Sequence, residues 1–311
     1  MSDGFSVHPT DDPLPEPTRA PDPAPLQPAP GDVAMLSDWA EPARPTEFPP
    51  HAATSARHGS PETIGVAGLL FCGGFHSSMQ GNKARHCRAL AAERGLDCHR
   101  FDYRGHGASR GDAAGLGIEH WLNDALSVLD RLPGRQVLIG SSMGAWLSVL
   151  AAQARPDRIA GVLTLAAAPD FTERLMRPAL HETQKAVLKA GGMAFRYSEW
   201  DSEPWPIPPV LLDSGRRLSI LRPDDGTAPM PLGCPLAVLH GSADADVPSA
   251  LSLELFDALG SPGDELVLLH GGEHRLSDPR ALGVFERLLD GLLLRTASLP
   301  SSTTASHAGG P

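Results

Sequence analysis

Residues 138–146 read LIGSSMGAW. It opens as an apolar strand-like run, passes through Gly140-Ser141-Ser142-Met143-Gly144, and continues as an apolar helix-like run. A serine centred in Gly-x-Ser-x-Gly at a strand-to-helix junction is the pattern of a nucleophile elbow. The chemistry needs a strained turn that lifts the hydroxyl clear while neighbouring backbones close in. The positions two before and two after must therefore be small. Ser142 is the central serine; Ser141 is still in the strand and points elsewhere. The plain alternative is a tight turn with two small polar residues in it. The strand before and the helix after favour the nucleophile.

Working outward, short apolar runs alternate with amphipathic ones from about residue 60 to 295. The strand-like runs are 69–75, 97–103, 136–142, 159–168, 234–241 and 264–271. Each is apolar at nearly every residue, as strands buried on both faces require. Helical patterns occupy 80–94, 119–131, 143–155, 248–259 and 279–294. In the second of these, Trp121, Leu122, Ala125, Leu126, Val128 and Leu129 form one broad apolar stripe. This alternation predicts an α/β fold with a mostly parallel, doubly wound sheet. About 65 residues separate the fourth and fifth strand-like runs, too many for a simple connection. They hold a helical pattern over 173–189 and then the Pro/Trp-rich YSEWDSEPWPIPPVL. We read them as a helical lid inserted over the sheet, at about 171–232.

A serine hydroxyl is a weak nucleophile until a base takes its proton and a carboxylate orients that base. Behind such an elbow the acid follows the serine in the chain, and the histidine follows the acid. After the run CPLAVLHG come Asp244 and Asp246. Asp244, four residues before Pro248, matches the pattern HGxxDxxVP; Asp246 could instead cap the next helix. Asp170, after an earlier strand, is a third candidate acid. His274 is the candidate base, because its Gly-rich loop beyond the last strand can swing an imidazole over the sheet edge. His270 and His240, at strand ends, read as packed residues bonded to backbone. The expected oxyanion donors are the N–H groups of Met143 and Phe75, the latter on an exit loop that Gly73 and Gly74 let come close. Met79, with Trp200, Trp205 and Ile207 of the insertion, could line an acyl pocket or serve only as packing.

The ends of the chain have a different composition. The first fifty residues hold thirteen prolines and nine acids against two bases, Arg19 and Arg44. Such a segment buries too little apolar surface to offset its ordering entropy. Residues 1–55 are therefore expected to be disordered, 56–296 to form the folded domain, and 297–311 to be a loose tail. Of the formal net charge of −11, the first fifty residues supply −7, leaving −4 with both signs interspersed. That balance gives no support to nucleic-acid or anionic-membrane binding. The four cysteines lack CxxC pairing, and reduced, mostly buried thiols are expected. Residues 104–111, RGHGASRG, imitate a dinucleotide loop, but the third glycine comes one place late. His181-Glu182 begins like HExxH, but Lys185 stands where the second histidine should be. No cofactor and no metal are expected.

These residues, together with FCGGFHSSMQGNKA (71–84), FDYRGHGAS (101–109) and LIGSSMGAWLSVLAAQARPDRI (138–159), resemble the α/β-hydrolase superfamily. Within it they resemble the branch of palmitoyl-protein thioesterases and acyl-glucuronide esterases. The likeness runs from about residue 66 to 292 and is densest up to Ala168. It implies the α/β-hydrolase fold and hydrolysis of acyl thioesters or esters by a Ser-His-Asp triad without a cofactor. The triad roles would fall on Ser142, Asp244 and His274. Gly73-Gly74-Phe75 stands where the branch has Pro-Gly-aromatic, a change that leaves the oxyanion donor in place. The expected substrate is a small-molecule or acyl-protein thioester or ester. A small-molecule carboxylesterase or acyl-glucuronide esterase, a carbon–carbon bond hydrolase using the same triad, and a catalytically silent binding protein on this fold are the alternatives. No integral membrane association is expected; the N-terminal residues show no presequence pattern, and a cytoplasmic location is the expectation.

Overall fold

The computed structural model describes residues 33–38, 65–196, 204–223 and 225–297. In chain order the elements are β1 (Met35–Asp38), β2 (Gly68–Cys72), α1 (Asn82–Glu93), β3 (Asp97–Phe101), α2 (Ile118–Leu129), β4 (Gln136–Ser141), α3 (Met143–Ala154) and β5 (Ile159–Leu165). A π-helical turn, Thr172–Met176, opens the long connection, followed by α4 (Glu182–Lys189), β6 (Ala194–Arg196), β7 (Trp205–Ile207) and α5 (Pro209–Arg217). The chain then returns through β8 (Leu236–Gly241), α6 (Ala250–Leu259), β9 (Glu265–Leu269) and α7 (Pro279–Ala297).

Seven strands form one sheet in the order β1-β3-β2-β4-β5-β8-β9, parallel throughout except where β1 joins β3. Successive side chains on a strand face opposite sides, and the two cores follow that alternation. Leu69 and Phe71 of β2 join Val137 and Ile139 of β4 beneath α1 and α7, with Leu90, Phe285 and Leu289. Leu70, Cys72 and Leu138 face the other way, under Trp121 of α2, Trp146 of α3 and Leu255 of α6. Burial on both faces explains why the central strands are apolar at nearly every position. β9 departs from that reading. It lies at the sheet edge, and Leu268 is 45% exposed.

Two local differences from the sequence-based expectation concern strands too short to show a period. Residues 33–38 fall inside the segment expected to be disordered, yet β1 pairs antiparallel with β3, Met35 opposite Phe101. The loop after β3 fixes it there. Ala34 N–H donates to Ser109 Oγ at 2.7 Å, and Asp102 N–H donates to the Ala34 carbonyl at 2.9 Å. β1 thereby covers an otherwise open sheet edge. The connection between β5 and β8 is not wholly helical: β6 and β7 form a two-stranded antiparallel sheet, with Phe195 opposite Pro206.

That insertion is tied down at its far end. Asp170, φ 52°, accepts from Ser219 Oγ at 2.6 Å and from the N–H groups of Ile220 and Leu221 at 2.8 and 2.9 Å. Trp146 Nε1–H donates to the Leu218 carbonyl at 3.1 Å, linking α3 to the same segment. The Asp170 carboxylate therefore stitches the entry of the insertion to its exit, a structural use for one of the three candidate acids.

Candidate active site

The elbow shows why its neighbours are small. Ser142 has φ 55° and ψ −119°, a sparsely populated conformation that costs about 1–3 kcal/mol and persists only where the surroundings hold it. Its N–H donates to Leu165 O of β5 at 2.9 Å, and its carbonyl accepts from Ala145 N–H at 3.0 Å and Ala168 N–H at 3.2 Å. A Cβ on Gly140 would lie 2.5 Å from Ala145 Cα, and one on Gly144 would overlap the carbonyl oxygens of Cys72 and Gly73. Ser141 completes β4, buried and in register with Leu165.

β4 lies mid-sheet, and the loops leaving β2, β8 and β9 converge on its carboxyl end. His274 Nε2 stands 3.2 Å from Ser142 Oγ, and His274 Nδ1 stands 2.8 Å from Asp244 Oδ2. The carboxylate cannot donate, so Nδ1 carries a proton toward Asp244 and Nε2 offers its lone pair to the serine hydroxyl. The Asp244 side chain has no exposed surface, whereas the His274 side chain is 23% exposed. Burial alone would raise the Asp244 carboxyl. Hydrogen bonds from His240 and His274, the His274 charge and the Val247 N–H outweigh it and hold the group well below the usual carboxylate range. Asp244 Oδ1 accepts from the N–H groups of Asp246 and Val247 at 3.0 and 2.8 Å. Asp246 itself is exposed and points no carboxylate at His274 Nδ1 in these bonds; it contributes its backbone.

The β2 exit loop passes beside the serine, and a Cβ on Gly74 would lie 3.3 Å from Ser142 Cβ. Met143 opens α3, so its N–H is one of the unsatisfied donors of a helix N-terminus. Among the described residues, no backbone bond outside the regular elements uses the N–H of Met143 or Phe75. The Phe75 ring is edge-on to Trp205 at 5.4 Å and tilted against Phe171 at 5.7 Å and Trp121 at 5.6 Å. His76, φ 53°, stacks on Trp205 with centroids 4.6 Å apart and planes 4° from parallel. Trp205 of β7 is thus brought onto the loop that carries Phe75, and the Arg196 guanidinium lies 5.5 Å above its ring.

Two other expected pocket residues are buried. Ile207 and Met79 are 2% and 7% exposed, packed inside, and Met79 N–H donates to Asp102 Oδ1 at 2.6 Å. Trp200 falls outside the described residues. His270 is exposed rather than packed, and its carbonyl accepts from Arg280 Nη2. The motif at 104–111 is structural: a Cβ on Gly107 would overlap the Asp102 carboxylate, and Arg104 pairs with buried Asp124 at 2.8 Å. His181 caps α4, its Nδ1 accepting from Thr183 N–H at 3.4 Å. Among the described residues, Asp244, Asp246 and His274 are the group that could hold a cation, their ligand atoms within 4.8 Å of one another. A cation there would break the bond between His274 Nδ1 and Asp244. The four cysteines are free thiols.

Two contacts at this site were not foreseen from sequence. Lys83 of α1 donates from Nζ to the Arg275 carbonyl at 2.5 Å, holding the loop next to His274. Burial pushes its ammonium down to about 8, against the attraction of Asp244 and with the repulsion of Arg275. His240 reaches Asp244 as well as backbone, its Nε2 lying 3.0 Å from Asp244 Oδ2. A sequence signal existed for it: His240 stands four residues before Asp244 in HGxxDxxVP.

A hydroxyl, an imidazole and a buried carboxylate in series form an arrangement able to move a proton, and the N–H groups of Met143 and Phe75 are the candidates to receive an oxyanion. Comparison with known proteins adds to this geometry. A family described as "Serine aminopeptidase, S33", within the α/β hydrolases, matches residues 66–201. The mouse protein "Palmitoyl-protein thioesterase ABHD10, mitochondrial" is 32% identical over 228 residues, 73% of this chain and 75% of its own. Its human counterpart is 29% identical over 235 residues, 75% and 74% of the two chains. The crystal structure of a putative hydrolase from Agrobacterium vitis S4 superposes with a TM-score of 0.71 at 31% identity, covering 84% of this chain and 93% of that one. The structure of mouse α/β hydrolase domain-containing protein 10 gives 0.67 at 28%, with the same coverage. The thioesterase relatives are designated mitochondrial, so the comparisons lend no support to a cytoplasmic location. Among the described residues, no helix is long and apolar enough to cross a membrane.

Proposed function

This chain belongs to the α/β-hydrolase superfamily, and from that premise we propose that it is a serine hydrolase cleaving a carboxylic thioester or ester through an acyl-enzyme on Ser142. The observation that carries the reading is the chain of contacts from Ser142 Oγ through His274 to Asp244, 3.2 Å and then 2.8 Å. His274 Nε2 takes the hydroxyl proton as the alkoxide attacks the acyl carbon. Asp244 holds the imidazole in the required tautomer and stabilises the imidazolium that forms. The N–H groups of Met143 and Phe75 receive the oxyanion, and losing one such donor costs about 10²–10³ in turnover. His274 then gives its proton to the leaving thiolate or alkoxide. Water, deprotonated by His274, releases the acid by the same steps.

The substrate is an acyl thioester with a long chain, on a protein or on a small thiol. The thioesterase relatives support that class, and so does Trp205, an apolar surface of the insertion beside Phe75. In this reading the insertion is the lid, with Trp205 the contact for the chain nearest the reacting carbon. Met79 and Ile207, both buried, belong to the same proposed pocket only as packing behind it. The test is hydrolysis of matched sulfur and oxygen acyl substrates from two to sixteen carbons, with Ser142→Ala as control. Faster turnover of long thioesters, lost in the control, supports the proposal. Preference for short oxygen esters would replace it with a small-molecule carboxylesterase.

A further inference from the structure

Asp244 is shared by two imidazoles. On the reactive side, His274 Nδ1 lies 2.8 Å from Oδ2 and Nε2 lies 3.2 Å from Ser142 Oγ. On the buried side, His240 Nε2 lies 3.0 Å from the same Oδ2, and His240 Nδ1 lies 2.6 Å from Ser252 Oγ on α6. The five side chains run Ser252, His240, Asp244, His274, Ser142. His240 and Ser252 are each 1% exposed, so no solvent competes for these bonds.

The protons can be placed by elimination. His240 Nε2 faces two oxygens that only accept, Asp244 Oδ2 and the Val247 carbonyl, each 3.0 Å away. A lone pair there would face two others, so Nε2 carries a proton in either charge state of the ring. In the neutral ring Nδ1 then accepts from the Ser252 hydroxyl. Val247 is engaged twice, since its N–H also donates to Asp244 Oδ1 at 2.8 Å. With the Asp246 N–H, the carboxylate receives four donors on its two oxygens, which fills its lone pairs.

We infer that His240, fixed by Ser252, is a positioning residue that holds Asp244 in the plane and charge state in which it serves His274. This deepens the proposed hydrolase mechanism and rests on it. The physical content is a balance on one oxygen. The His240 N–H fixes Oδ2 and draws off part of its negative charge. His274 therefore meets an oxygen that is fixed in place and whose charge it shares with a second donor. Other charged groups face the pair: Lys83 from α1, Arg275 beside His274, Asp246 on the acid loop, and Arg196 of β6 acting on Asp246. The substitutions below leave all of them in place.

The experiment compares wild type, His240→Leu, His240→Gln and Ser252→Ala by steady-state hydrolysis of one acyl thioester across pH, with urea titration to establish folding. His240→Leu removes the donor, and kcat is expected to fall about 10-fold with KM within about twofold, as for other residues that orient a catalytic group. The acid limb of kcat/KM should move to higher pH by about half a unit to one unit, because Asp244 then spends its charge on His274 alone. His240→Gln keeps an N–H near the Nε2 position and should recover most of kcat and the wild-type limb. A folded His240→Leu with wild-type kcat and pH profile overturns the inference. So does a loss that His240→Gln fails to recover while the limb stays unshifted. If His240→Leu does not fold, Ser252→Ala carries the test: without the hydroxyl on Nδ1 the ring is less firmly fixed and its N–H holds Oδ2 less well, so the limb should shift the same way by less, and an unmoved limb overturns the inference. A wild type that hydrolyses no acyl substrate defeats the underlying mechanism. An active wild type with an insensitive His240 defeats this step alone.

Discussion

The same chemical change at two helical glycines should act with opposite signs. Gly283 lies on the exposed face of α7, and a Cβ there meets nothing within 4 Å. Gly144 lies in the first turn of α3, where a Cβ would overlap two backbone carbonyl oxygens, those of Cys72 and Gly73. Alanine is better than glycine in a helix by up to about 1 kcal/mol, so propensity favours both variants. At position 283 nothing opposes that gain, and G283A should be about 0.5–1 kcal/mol more stable than wild type. At position 144 the clash is with backbone, which cannot rotate away, and overpacking of that kind costs about 1–3 kcal/mol. Net, G144A should lose about 1–2 kcal/mol. The larger effect is on turnover. Relief of the clash moves the end of β2 and the loop behind it, which carries Phe75, so one of the two proposed oxyanion donors leaves its place and kcat should drop by about 10²–10³. Urea unfolding and thioester hydrolysis on the three proteins read both quantities. A G144A protein as stable and as active as G283A would refute the packing argument and the oxyanion role of that loop together.

Other expectations follow from single contacts. Trp205→Ala removes the plane stacked on His76 and the edge contact with Phe75, and should lower kcat/KM for a sixteen-carbon thioester about 10-fold or more while sparing acetyl substrates; equal losses on both would move the chain contact elsewhere. Asp124→Ala removes the carboxylate from buried Arg104 and leaves its guanidinium, among the described residues, only the His120 carbonyl, and should cost about 3–5 kcal/mol in urea unfolding, a loss under 1 kcal/mol being the contrary result. Lys83 is lowered from 10.5 to about 8 by burial, so the unfolded chain holds that proton more tightly than the folded one. The resulting penalty is fully present below pH 8 and disappears toward pH 10.5. Wild type should therefore gain stability relative to Lys83→Met across that window, and a flat difference would contradict the burial argument.

The parts of the fold legible in sequence are those with a long enough period. β2, β4, β5 and β8 are buried on both faces and read as apolar runs, and α2 and α7 carry apolar stripes. The elbow was legible because a strained serine turn admits so few side chains at positions 140 and 144. Partners contributed by distant loops were legible only through local patterns, HGxxDxxVP for Asp244 and a Gly-rich loop for His274. The illegible features are short or relational. β1 has four residues in a proline-rich segment and exists because the β3 edge and Ser109 are there to pair with it. β6 and β7 have three residues each, too few to show alternation. Asp170 was a reasonable candidate acid by position, and only the approach of residues 219–221 reveals its use as an anchor. Lys83 reaches the site through a carbonyl 192 residues away in sequence, which no local pattern shows, and His240, though it stands inside HGxxDxxVP, shows its contact with Asp244 only in three dimensions.

The central claim is that Ser142 is the nucleophile. Incubating the folded wild-type protein with a fluorophosphonate and locating the adduct by peptide mass spectrometry tests it most directly. One stoichiometric adduct is expected on the Ser142 hydroxyl, slowed in His274→Ala and absent in Ser142→Ala. An adduct on Ser141 or elsewhere, or a folded wild type that takes up none, would contradict it.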